Sequence, residues 1–196
     1  SGLYGMTDDD YGRWIGNFAV DFGMGGDDKM HSAADTTFVK FNAGATRVQR
    51  LFSRSMGIVR VNGQYSPNKL FAAEQMQLGG PYTLRGYQPA EVIGDYGVSG
   101  TLEYRTPIPF LDRTRIAFLN NIRFTMWVDA GKVFDGTVSN TIYDRPMYAV
   151  SAGVGLKVFI PGMGPLSIDY GIPLTNPGNN GSENGYFTFG VGDLLY

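Results

Sequence analysis

Apolar and polar residues take turns along most of this chain, and the period is two. In the segment 13–24, Trp14, Phe18, Val20, Phe22 and Met24 fall on one face, while Arg13, Asn17, Ala19 and Asp21 fall on the other. Segment 37–47 sets Val39, Phe41, Ala43 and Ala45 against Lys40, Asn42 and Thr46, and segment 58–66 sets Val59, Val61 and Tyr65 against Arg60, Asn62 and Gln64. Further on, Val98, Leu102 and Tyr104 oppose Ser99, Thr101, Glu103 and Arg105. Ile122, Phe124, Met126, Val128 and Ala130 oppose Arg123, Thr125, Trp127 and Asp129. Segments 148–158 and 166–172 repeat the rhythm, with Lys157 and Asp169 on the polar side. A last run, 186–196, carries Phe187, Phe189 and Val191 on one face, with a change of parity expected near Asp193. Successive strand side chains point to opposite faces, so alternation of this length predicts strands and not helices. The count is about eight.

The connections alternate in length. Residues 25–35, 67–96, 135–145 and 176–185 are long and polar, whereas 51–55, 107–114 and 161–164 are tight and contain Gly, Pro or Asp. Long loops at one end and short turns at the other are the habit of an antiparallel barrel in a membrane. The expected fold is therefore all-β: an antiparallel transmembrane β-barrel of about eight strands, a single domain over residues 1–196, with both termini on the short-turn side. No stretch approaches the roughly 18–20 apolar residues of a membrane helix, and a slightly negative mean hydropathy does not conflict with a barrel, in which only alternate strand residues meet lipid.

Composition narrows the chemistry. A net charge of -2 removes the basic surface that nucleic-acid binding needs. The absence of cysteine removes disulfides and thiolate chemistry. The single histidine, His31, sits in a Gly-, Asp- and Lys-rich loop without a strand-borne partner, so no hydrolase site is expected. Asp8-Asp9-Asp10 and Asp27-Asp28 lack calcium-loop spacing and read as solvated. No catalytic residue, cofactor or metal is expected. Ser1 is followed by no leader pattern, so a signal peptide is expected to have been removed or to lie outside this sequence.

One connection breaks the simple pattern. Residues 67–96 make a loop of about thirty residues, unusually long for one without structure of its own. It contains Leu78-Gly79-Gly80-Pro81-Tyr82-Thr83-Leu84-Arg85-Gly86-Tyr87, in which glycines, a proline and an arginine between bulky residues point to a fixed conformation. Leu84-Arg85-Gly86-Tyr87 resembles the "VRGY" tip of the loop that folds into the lumen in the BamA and two-partner-secretion transporter (TpsB, FhaC-like) superfamily. Glu74-Gln75 and Leu78-Gly79-Gly80 resemble the approach to that tip. Leu102-Glu103-Tyr104-Arg105 with Pro107, Trp127-Val128-Asp129-Ala130-Gly131, Gly153-Val154-Gly155-Leu156 and the run 164–174 resemble the strands that follow it, in order. The resemblance covers residues from about Asn62 to the end, which closes on aromatic Tyr196.

This resemblance implies that Arg85 reaches Asp129 and Glu103 inside the barrel, that Gly86 allows close approach to the wall, and that Tyr87 packs beside it. A guanidinium away from water has to be paired, and a charge-assisted bond would contribute about 1.5–3 kcal/mol. Trp127 is read as a wall-packing aromatic. The family role is insertion or translocation of polypeptides at the Gram-negative outer membrane, without a cofactor, so membrane lipid and a polypeptide substrate are the implied partners and nucleic acid is not. A passive structural barrel, or a small homodimer, is the alternative. Family members have sixteen strands and periplasmic POTRA domains, whereas about half the strands and no POTRA domain are read here. An eight-stranded interior admits only side chains, so the long loop is expected outside a small barrel, within strands shared by two chains, or within a truncated half.

Overall fold

The alternating segments pair as antiparallel strands in the computed structural model, which describes residues 2–24, 37–109, 120–134, 147–160, 164–176 and 185–191. In chain order the elements are β1 (Gly2–Asp9), β2 (Gly12–Met24), β3 (Thr37–Arg50), β4 (Met56–Tyr65), β5 (Met76–Leu78), β6 (Val92–Gly94), β7 (Tyr96–Pro107), β8 (Ile122–Phe134), β9 (Met147–Ile160), β10 (Gly164–Pro173) and β11 (Tyr186–Val191). A single 3-10 turn, Phe52–Arg54, tightens the β3–β4 connection. The main sheet has nine strands in the order β1-β2-β3-β4-β7-β8-β9-β10-β11, and β5 and β6 form a separate two-stranded sheet.

Among the described residues, the expectation of about eight strands is thus corrected to nine in the main sheet plus a short hairpin. The added strand is β1, whose sequence GLYGMTDD interrupts its apolar positions with two glycines and ends in acid. Its register on β2 runs from Gly2 opposite Ala19 to Asp9 opposite Gly12. Gly2 therefore lies toward the long-loop end, so the expectation that both termini share the short-turn side does not hold for it. Nor is closure seen: β1 and β11 form the two edges of the sheet and are not paired with each other among the described residues. The sheet nevertheless curls, since Arg60 of β4 and Val191 of β11 border the same cavity. The loop around His31, Asp27 and Asp28, the loop 135–145, the parity change at Asp193 and Tyr196 lie outside the described residues.

The two faces are as the alternation predicts. Leu102, Met126, Val128, Val154, Leu156, Ile168, Phe187 and Phe189 are exposed on the convex side, where lipid would lie. Between them, Ser99, Glu103, Arg105, Thr125, Trp127, Asp129, Ser151, Lys157 and Asp169 are buried on the concave side. They are buried because residues 66–95 fold back across β7–β10. Short β5 and β6 pair Met76 with Gly94 and Leu78 with Val92, and the hairpin packs Leu78, Leu84, Tyr87 and Val92 against Val133 of β8 and Ala149 of β9. Four of the six residues of this buried apolar cluster come from the loop.

Candidate functional site

The loop tip begins at two glycines that the backbone requires. Gly79 and Gly80 have φ of 121° and 89°, in the left-handed region that favours glycine. Thr83 Oγ1 accepts from Gly79 N at 2.9 Å and donates to Gly79 O at 2.8 Å, while Gly80 N donates to Tyr87 O at 3.2 Å. These bonds close residues 79–87 into one compact turn. Leu78 and Leu84 then fall over Gly131 of β8, where an added Cβ would meet their Cδ1 atoms at 2.7 and 3.0 Å. The glycine two residues beyond Asp129 is thus the socket for the two leucines. Gly86, at φ 91°, lies on Gly171 of β10, and a Cβ there would stand 3.0 Å from that residue's carbonyl carbon.

Such packing delivers Arg85 to the sheet with 6% of its surface exposed. Its Nε donates to Asp129 Oδ2 at 2.9 Å and its Nη2 to Asp129 Oδ1 at 3.0 Å, a two-pronged geometry that matches the fork of the guanidinium. The backbone N–H of Arg85 also donates to Asp129 Oδ2, at 3.1 Å. Nη1 donates to Glu103 Oε2 at 2.8 Å and stands 3.5 Å from Asp169 Oδ1. Three carboxylates on β7, β8 and β10 therefore surround one cation. Glu103 serves two more, since Arg105 Nε donates to its Oε1 and Lys157 Nζ lies 3.2 Å from the same atom. Buried charges persist where each has a partner, and the network meets that condition at Arg85.

Trp127 forms the floor. Its ring lies 4.0 Å beneath the Arg85 guanidinium carbon, a cation–π contact, and its Nε1 donates to Asp169 Oδ1 at 2.9 Å. The indole fits because β9 and β10 offer glycine directly across the sheet. Trp127 is opposite Gly153, and Gly153 is opposite Gly171. A Cβ on either glycine would come within 2.3 and 2.5 Å of the indole. Tyr87 ties down the other side of the tip: its hydroxyl lies 2.7 Å from the carbonyl oxygens of Val150 and Thr175 and 2.9 Å from Thr175 Oγ1.

The structure brings Gly79, Gly80, Arg85, Gly86, Tyr87, Glu103, Asp129 and Gly131 into this one cluster. Asp169, Lys157 and Arg105 join the cluster too, three polar-face residues to which the sequence alone assigns no partner. Trp127 is a wall-packing aromatic, and it is also the ring on which the arginine rests; its place two residues before Asp129 on the same face is the signal for that. Asp8 and Asp9 are taken up in exposed ion pairs, with Arg13 at 2.6 Å and Arg47 at 2.6 Å. Among the described residues, no three His, Cys, Asp or Glu side chains converge to hold a metal ion. No helix of the described residues is long and apolar enough to cross a membrane. What this chemistry can do is anchor a loop on the concave face of a sheet through charge pairs shielded from water. A cavity of about 40 Å³ remains beside the tip, bordered by Arg60, Tyr82, Glu103, Lys157 and Asp169, room on the scale of one or two waters.

Comparison with known proteins bears on residues and fold alike. The Omp85 superfamily domain matches residues 12–193, beginning at the first residue of β2. The crystal structure of BamA from Haemophilus ducreyi lacking POTRA domains 1-3 is similar in fold, with a TM-score of 0.62 and 18% identity over 92% of this chain. The chain spans 41% of that BamA chain.

Proposed function

The chain belongs to the Omp85 superfamily of the Gram-negative outer membrane, and from that premise we propose that it inserts polypeptides into that membrane or moves them across it. The observation that carries this reading is the Arg85 anchor: a long loop, held by Asp129 and Glu103, occupies the concave face along which a polypeptide would have to pass. A barrel that merely filled space could pack the same face with side chains of the strands alone. The work asked of the protein is positional. Convex apolar residues contact lipid, the concave polar residues contact water and substrate, and residues 1–196 act as one unit. Membrane lipid and an unfolded polypeptide are the partners, and no cofactor or covalent step is involved.

The test is reconstitution of the full chain in liposomes with an unfolded outer-membrane barrel protein as substrate. Substrate insertion, or its protection from external protease, is measured beside ion conductance. The expected result is activity in the unsubstituted chain and its loss in Arg85→Ala, with strand content and heat-modifiable gel migration retained. A well-folded chain without insertion, protection or conductance would be a passive structural barrel, and the proposal would fall.

A further inference from the structure

The concave face has a second half, on β2–β4, where the loop reaches Val39, Lys40 and Gln64 while Asn17 is exposed and Gly44 and Asn62 are half-buried. Across its middle run Asn17, Gly44 and Asn62, directly opposite one another in register. A side chain at Gly44 would meet Asn17 Oδ1 at 2.4 Å and Asn62 Oδ1 at 2.7 Å, so the two amides lean over the glycine from either side. Neither amide makes a hydrogen bond with another described residue. Asn42 and Gln64 face each other one row above, and Thr46 lies one row below. The opposite face of these strands carries Phe18, Phe41, Val59 and Val61, all exposed. In the middle of these strands the amides therefore lie on the inner face, Gln49 near the end of β3 being on the other.

The same wall shows what such amides bind. Gln64 Nε2 donates to two main-chain carbonyls of the loop, Glu74 O at 3.0 Å and Asp95 O at 3.2 Å. In the reverse sense, Asn68 of the loop accepts from the main-chain N–H of Val39 at 3.0 Å. Where the loop already lies against β3 and β4, it is held through peptide groups and through the Lys40–Glu74 ion pair. An asparagine amide both donates and accepts, which suits it to a peptide unit whatever its side chain. Gly44 adds room for a backbone to come close.

We propose that the strip Asn17–Gly44–Asn62 is the guide on which an extended segment of the polypeptide substrate lies, recognised by its main chain and not by its sequence. The inference rests on the reading of function above and adds the place and the chemistry of contact. Beside the plugged half, it gives the substrate a polar strip bordered by the inward-facing Tyr4, Met6 and Ile15.

The chain contains no cysteine, so single substitutions give unique cross-linking sites. Asn17→Cys and Asn62→Cys are made on the concave face, with Ala43→Cys and Val61→Cys as convex controls. The probe is an unfolded outer-membrane barrel polypeptide with one cysteine, arrested in proteoliposomes by a folded domain at its end. Disulfides are expected at positions 17 and 62 and absent at 43 and 61. Asn17→Leu with Asn62→Leu should slow transit roughly tenfold, the worth of one to two hydrogen bonds, and Asn→Gln at both positions should restore it. Transit by every variant at one rate, with cross-links at all four positions or at none, would overturn this inference alone. No transit by the unsubstituted chain would overturn it together with the proposed function.

Discussion

The two halves of the concave face differ in how they are finished. On β7–β10 the loop seals the wall, and side chains from Glu103 to Asp169 are buried in a charge network over a leucine core. Toward β1 the cover gives out: the loop reaches β3 through Asn68 and Glu74, and no residue of β1 is buried. Every residue of β1 is exposed, and inward-facing Tyr4 keeps 69% of its surface open. Strand pairing alone is the same in both regions, so hydrogen-bond ladders do not account for the difference. What distinguishes them is one loop that supplies both an apolar cluster and a cation. The sheet's packing energy is concentrated in one half, and the other half remains a surface on which something else can lie.

The contrast can be broken by substitution, starting from the largest expected effect. Asp129→Ala leaves the buried Arg85 without its two-pronged partner and should cost about 3–5 kcal/mol; trypsin should then cut after Arg85 in folded protein, where the unsubstituted chain resists. Leu84→Ala empties the socket over Gly131 and should cost about 2–4 kcal/mol, read from the urea midpoint of the vesicle-embedded protein. Tyr87→Phe removes the hydroxyl that meets Val150 and Thr175, and about 1–2 kcal/mol with it. Met6→Ser on the bare half should change the same midpoint by less than about 0.5 kcal/mol. If Met6→Ser costs as much as Leu84→Ala, the division into a sealed and an open half is wrong.

Strands were legible wherever both faces had distinct neighbours. Val98–Arg105 of β7 and Ile122–Ala130 of β8 alternate because lipid selects one side and the loop selects the other. β1 escaped because exposure on both faces imposes no such choice, and its glycines at 2 and 5 dilute the period further. β5 and β6 are three residues each, too short for a period to register. The Arg85–Asp129–Glu103 cluster came from motif order, not from periodicity, since residues 44 apart in sequence meet only when the loop folds back. Asp169 lies on β10, one strand beyond β9, and its 3.5 Å approach to Arg85 depends on the curl of the sheet, which no local pattern encodes.

The indole of Trp127, lodged in its glycine slot with a guanidinium on its face, also gives the molecule an optical gauge. The chain has two tryptophans, and the other, Trp14, is half exposed on the convex side of β2. With Trp14→Phe, all remaining indole emission comes from beneath the loop. Withdrawal of Arg85 would strip the ring of its charged cover and admit water, so the colour of the emitted light would report, in real time and without an added dye, whether the plug is seated.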